Sequence, residues 1–190
     1  MMPPIIGELP FNRGLTAAEG LITPTSTYRA ELEGRAYYSE DSEHDSNQLI
    51  VLLCVRNLTG SAITVARKCG EFKTTAALAM VSQMLTFPCD TAGAVALPID
   101  DAYAVGASIP ANDLFYVVLQ GWCDILTGAA VTNLSAGIPI TVDNAGLIAN
   151  KAQPAAGEFV LGKLEYASSY TGATATTVWV DPPALVGTNA

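Results

Sequence analysis

Residues 114–126 read LFYVVLQGWCDIL. Phe115, Val117 and Leu119 alternate with Leu114, Tyr116, Val118 and Gln120, so both faces of an extended segment are largely apolar here. Such a strand needs cover on both sides, which places it in the middle of a sheet. Gly121 permits a bulge or bend within the run. The expectation is a central, doubly covered strand, and with it a β protein.

Working outward, the same grammar recurs. LIVLLCVRN, 49–57, is a short apolar run rich in branched residues and is ended by NLTGS. It predicts a buried strand followed by a turn. ITVARKCGEF, 63–72, alternates imperfectly and reads as a second strand, joined to the first by the hairpin-like connection 58–62. In 74–88 Ala, Leu and Met favour helix, while the Thr-Phe-Pro ending favours strand at the C-terminal half, and Pro88 ends the element. Met80 and Met84 in this stretch read as core packing. Further strand signals lie at 94–99, 102–109, 138–146, 159–168 and 176–183. Asp143-Asn144-Ala145-Gly146 reads as a hairpin turn with Gly146 at positive φ. In TTVWVD, Thr177, Trp179 and Asp181 share one face and Val178 and Val180 the other. Seven to nine short strands with Gly, Asn, Asp and Pro turns, and no βαβ alternation, predict a mainly β, antiparallel β-sandwich or β-barrel-like module. No repeat of fixed period is visible.

Residues 1–48 differ in character. Prolines, scattered glycines and short apolar islands show no sustained period, and sequence of this kind seldom builds a core alone. We divide the chain into an irregular N-terminal arm, 1–48, and a β-rich domain, 49–190. Within the arm, 27–38 suits a short strand or one helical turn. Pro3, Pro4, Ile5, Ile6, Leu9 and Phe11 are the candidate residues for contact with a neighbouring subunit. The acidic cluster Glu40, Asp41, Glu43 and Asp45 reads as a solvated loop, because it lacks the spacing and central glycine of a calcium loop. MMPPIIGELPF has neither the basic nor the long apolar region of a signal peptide.

Charge narrows the function classes. The net charge is −9, and charged residues make up only 14% of the chain, a composition suited to hiding surface in an assembly. No Lys or Arg lies between Lys73 and Lys151. Phosphate neutralisation needs basic residues, so no nucleic acid and no anionic membrane surface is expected as a partner. No apolar run approaches the roughly 18–20 residues that span a bilayer. Cys54, Cys69, Cys89 and Cys123 are widely spaced, without a CxxC, and His44 is the one histidine. The expected reading is four buried thiols of a protein made in a reducing cytosol, with no metal site. The sequons at Asn57 and Asn133 carry little weight without a secretory signal.

Catalytic motifs are missing by the same test. His44 is the sole candidate base and sits among acids, with no GxSxG, no GxGxxG and no phosphate loop. Gly157 to Lys163 imitates a phosphate loop, but Leu164 replaces the Ser or Thr and the stretch reads as strand. Asp100 and Asp101 are adjacent between strands and point to opposite faces, so turn formation explains them better than paired acid–base work. Trp122 and Trp179 fit core or interface anchors better than a sugar-stacking platform. No catalysis and no cofactor are expected.

Several of these elements occur in a recognisable order. A strand ends in Arg-Asn-x-Thr-Gly at 56–60. Val105-Gly106-Ala107-Ser108-Ile109 leads to Phe115-Tyr116-Val117-Val118-Leu119-Gln120-Gly121. Ser135-Ala136-Gly137-Ile138-Pro139-Ile140-Thr141-Val142 and Asn144-Ala145-Gly146-Leu147-Ile148 follow, then Phe159-Val160-Leu161-Gly162-Lys163-Leu164 and Thr177-Val178-Trp179-Val180-Asp181-Pro182. This order resembles the small head-decoration (cement) proteins of tailed bacteriophages, over roughly two-thirds of the chain. The resemblance implies a β-rich module without an active site, assembled in the host cytoplasm. It further implies binding to the major capsid protein on the outer face of the virion shell, often as a homotrimer. The alternative it leaves open is a β-sandwich module of a neck, tail or fibre that engages a carbohydrate or receptor. In either case the small-residue loop 150–157 is a place to look for a subunit contact.

Overall fold

The computed structural model describes residues 33–41, 48–64, 67–72, 83–100, 108–128, 131–149, 155–165, 168–170 and 174–185. The strands are β1 (Ala36–Glu40), β2 (Leu49–Asn57), β3 (Ile63–Thr64), β4 (Cys69–Phe72), β5 (Gln83–Thr86), β6 (Ala96–Pro98) and β7 (Ser108–Ile109). They continue with β8 (Leu114–Leu126), β9 (Val131–Leu134), β10 (Pro139–Ile140), β11 (Phe159–Leu164), β12 (Ser168–Tyr170) and β13 (Ala175–Leu185). The expected mainly β architecture is what forms: one large sheet curled into a half-barrel, with no helix among the described residues. Its strand order is β10-β11-β13-β8-β2-β5-β4-β6, and β1 adds to β2. β9 with β12, and β3 with β7, form separate two-stranded pieces.

The 114–126 run does stand at the centre, between β2 and β13. Along one face Ile50, Leu52 and Cys54 of β2 join Leu114, Tyr116, Val118, Cys123 and Ile125 of β8 and Val178 and Val180 of β13 in one buried cluster. On the other face Leu53, Val55, Phe115 and Val117 pack with Ile63, Val95, Leu97, Ile99 and Ile109. This second core covers the first half of β8. Every residue from Leu114 to Val118 is buried, whereas Trp122, Asp124 and Leu126 are half-buried. The expectation of cover on both faces therefore holds for half of the strand and fails for the rest.

The second strand also departs from expectation. Residues 63–72 do not make one strand hairpinned to 49–57. β3 pairs with β7, and β4 pairs with β5 and β6. The reason is that both edges of β2 are taken: β8 lies along one, while β1 and a short parallel contact from β5 share the other. The loop after β2 closes on Asn57 instead. The fully buried Asn57 Nδ2 donates to the carbonyls of Ser61, Ile109 and Pro110 at 2.9, 3.1 and 3.0 Å. Its Oδ1 accepts from Thr59 N–H and Thr59 Oγ1 at 3.1 and 2.7 Å. Asn57 of the Arg-Asn-x-Thr-Gly pattern is thus a hub that ties three loop carbonyls to the end of β2, and its burial closes the sequon to a glycan.

The chain enters the sheet before residue 49. β1 pairs with β2 from Ala36↔Leu53 to Glu40↔Leu49, so five residues ahead of the change in composition are part of the sheet. Just upstream, Glu33 Oε2 accepts from Arg56 Nε at 2.6 Å, and Gly34 N–H donates to Cys54 O at 2.8 Å. Near the C-terminus, β13 stays in register with β8 from Ala175↔Leu126 to Val180↔Gly121 and then parts from it. Pro182 and Pro183 bring no N–H to a ladder, and the β11–β13 register skips across them from Gly162↔Val180 to Val160↔Ala184. The turn at 143–147 forms as read: Gly146 sits at φ 71°, and Asp143 Oδ1 accepts from Ala145 and Leu147 N–H.

Removing the Asn57 side chain leaves the buried Ile109 carbonyl without this donor, at a cost of about 1–3 kcal/mol, and loosens the part-buried bonds to Ser61 and Pro110. We expect Asn57→Ala to lower the unfolding free energy by about 3 kcal/mol in urea denaturation. Thr59→Ala, which removes one hydroxyl from the same hub, should cost about 1 kcal/mol.

Candidate interaction surface

The candidate surface is the half of the sheet that the second core does not cover among the described residues, and one extra residue creates it. Val51 pairs with Gln120, but Leu52 pairs with Val118, so β8 carries Leu119 as an additional residue against β2. A one-residue bulge shifts the alternation by one. Before it, the even-numbered residues 114, 116 and 118 face the first core; after it, Cys123 and Ile125 do. Gly121 completes the turn-over at φ 125°, and a Cβ there would stand 3.0 Å from Ile50 Cγ1. Trp122 and Asp124 are thereby rotated onto the opposite face, where they are half-buried and, among the described residues, not covered by the second core.

Cross-strand pairing assembles the remaining residues. Trp122 is paired with Trp179, and Trp179 with Lys163 of β11. On the other side, Val51 is the partner of both Gln120 and Tyr38. Leu49, two residues before Val51, falls on the same face. The result is a band across β1, β2, β8, β13 and β11. Tyr38 is 64% exposed and Leu49 60%, two of the most exposed large apolar residues among those described.

The tryptophans are fixed rather than loose. Their ring centroids lie 5.1 Å apart at an interplanar angle of 80°, an edge-to-face contact. Trp179 Nε1–H donates to Asp181 Oδ1 at 2.9 Å. Next along the face, Asp124 Oδ1 accepts from Thr177 Oγ1 at 2.8 Å, and its Oδ2 is 3.1 Å from Arg67 Nη1. Asp124 N–H donates to the buried Asp100 at 2.8 Å. The expected sharing of a face by Thr177, Trp179 and Asp181 is thus realised, with their polar atoms engaged inside the protein. Tyr38 and Leu49 are exposed on this band, Trp122 and Trp179 are half-buried in it, and the Lys163 side chain is exposed beside them. Such an arrangement suits docking against another protein surface. Two rings at 80° do not make the coplanar platform on which a flat sugar face stacks.

The other singled-out residues fall as follows. Pro3, Pro4, Ile5, Ile6, Leu9 and Phe11 lie outside the described residues, as do His44, Met80, Asp101 and residues 150–154 of the small-residue loop. Ala155, Ala156 and Gly157 of that loop are exposed. Asp100 is buried as a hydrogen-bond acceptor for the backbone of β8, a structural role. Lys163 belongs to a strand, not to a phosphate loop. Met84 is fully buried over Gly70. Among the described residues no helix is long and apolar enough to cross a membrane, and no three His, Cys, Asp or Glu side chains come together as metal ligands.

All four cysteines are buried free thiols. Burial pushes the Cys54 thiol up to about 12, with the nearby Glu33 charge adding to the effect. It raises Cys69 and Cys123 well above the ordinary thiol range. They are apolar packing groups, not nucleophiles.

Neither a protein-family model nor a curated protein matches the sequence. Among solved structures, the chain is similar to the head fiber gp8.5 N base of bacteriophage phi29. The TM-score is 0.39 at 13% identity, over 70% of this chain and 94% of that one. A likeness at this level carries no argument about fold or function.

Two outcomes follow from the surface and the thiols. A double-mutant cycle on Trp122→Ala and Trp179→Ala should show a coupling of about 1 kcal/mol in unfolding free energy, the value of an edge-to-face pair. For Cys54, a folded-state pKa raised above the unfolded one gives stability that is complete below pH 9. That stability is lost as pH rises toward 12, because only the unfolded chain sheds the proton. In urea titrations at pH 8 and pH 10.5, Cys54→Ala should therefore lose about 2 kcal/mol less than the parent chain between the two pH values.

Proposed function

We propose that this protein is a structural component of a bacteriophage virion: a capsid-decoration module that binds the outer face of the shell and bridges neighbouring capsomers. The reading begins from the ordered sequence patterns that resemble head-decoration proteins. The observation that carries it furthest is the band of Tyr38, Leu49 and the interlocked Trp122 and Trp179 on one face of the sheet. Trp and Tyr dominate interface energetics because they bury large area at small entropic cost. A surface built from locked aromatics, on a chain with few charges, suits burial against a partner better than turnover of a substrate. The partner in this reading is the major capsid protein, and the protein acts as a homotrimer. The arm residues Pro3, Pro4, Ile5, Ile6, Leu9 and Phe11 extend the contact to an adjacent subunit. They accept an ordering cost on assembly in exchange for added interface.

The test is addition of purified protein to shells that lack it. Density on the outer face of the shell, and a higher temperature of capsid disruption, are the expected results. Density confined to neck or tail would overturn the assignment. Deleting residues 1–12 should leave the fold intact and reduce occupancy on heated or salt-stressed capsids about tenfold or more, equivalent to at least about 1.4 kcal/mol. Unchanged occupancy would remove the arm from the interface. Binding of a glycan, abolished by Trp122→Ala, would instead favour a receptor-binding appendage.

A further inference from the structure

We propose that the open band of the sheet is the seat for residues 3–11 of a neighbouring copy of this chain. This rests on the arm contact proposed above and specifies where it lands.

The first support is chemical fit. The N-terminal stretch MMPPIIGELPF contains three prolines, two isoleucines, a leucine and a phenylalanine, and Glu8 as its single charged side chain. Proline pre-sets an extended backbone at low entropic cost, and aromatic-lined surfaces are the usual receptors for such segments. The band offers Tyr38, Trp122 and Trp179 for that purpose. Trp122 and Trp179 are already held against each other, so little ordering is left to be done on the receptor side.

The second is charge. Lys163 is exposed, lies across from Trp179, and pairs with no acid among the described residues. Glu8 in an otherwise uncharged apolar segment is its complement. A single ion pair at the rim adds little energy, but it fixes register and direction.

The third is reach and direction. Glu33 is held by Arg56 near the end of β2, and β1 then runs antiparallel to β2 toward Leu49. Glu33, the first described residue, thus stands at the end of the sheet opposite Leu49, away from the band. The 21 residues between Phe11 and Glu33 can extend up to about 70 Å, enough to reach an adjacent molecule.

The test uses the chain lacking residues 1–12 and a synthetic peptide of residues 1–12, followed by tryptophan emission and titration calorimetry. We expect saturable binding that a scrambled peptide does not reproduce, weakened about tenfold by Trp179→Ala. Because Trp179→Ala could perturb the sheet, Tyr38→Ser and Lys163→Glu at exposed positions serve as second variants. Each should weaken binding severalfold with circular dichroism unchanged. Light scattering should show that the full chain self-associates and the truncated chain does not. Absence of peptide binding, or binding untouched by all three substitutions, overturns the proposal. So does a monomeric full chain whose peptide binds only after truncation, since the seat would then be filled by the chain's own arm. None of these readouts involves a capsid, so their failure is separable from failure of the decoration reading.

Discussion

The structure depends on the mismatch between β2 and β8. Two strands in perfect register would keep the same set of side chains inward along their whole length. Leu119 stands as an extra residue between Val51↔Gln120 and Leu52↔Val118, and from there onward the sets are exchanged. The first half of β8 is then clamped between two cores, and the second half shows one core face and one open face. Gly121 is what makes the exchange sterically possible, since its φ of 125° and its closeness to Ile50 leave no room for a side chain. A Trp pair that would otherwise be core stands half-buried on the second face.

Around this switch the molecule spends its polar groups on holding backbone in place. Asn57 gathers loop carbonyls at one end of β2, and Asp143 bonds two N–H groups in the 143–147 turn. Asp124 joins Arg67 and Thr177 across strands. Thr141 Oγ1 is the one buried side-chain polar atom among the described residues without a partner. Groups committed in this way are poor candidates for proton transfer. Of the apolar residues left with contacts still to make, Tyr38, Leu49, Trp122 and Trp179 share one face of the sheet.

Much of the fold was readable because burial leaves a period in the sequence. The double-sided apolarity of 114–118, the branched run of 49–57 and the alternation of TTVWVD each named a strand, and each is one. The turn at 143–146 was readable for a different reason, namely that Gly146 alone among its neighbours takes φ of 71° without strain. What was not readable is pairing. Ile63 and Cys69 look like parts of one strand, yet they belong to different sheets, because the edges of β2 were already occupied by segments far away in sequence. The open face was hidden for a related reason. Gly121 signalled a bend, but only the register of Val51 and Leu52 tells that the bend inverts the faces and places Trp122 outward. Arg67 and Asp124, 57 residues apart, show no pattern that would have joined them.

The attachment of β1 has a mechanical meaning. Glu40 to Ala36 lie antiparallel to Leu49 to Leu53, followed by the bonds of Gly34 and Arg35 to Cys54 and the Glu33–Arg56 pair. A pull on the upstream chain along the strand axis meets these links in parallel, so they share the load and must yield together. A pull at right angles to the sheet would open them one after another, beginning at Glu33. The same few bonds are thus strong or weak according to direction. A strand attached in this way bears a load best along the sheet and least well across it.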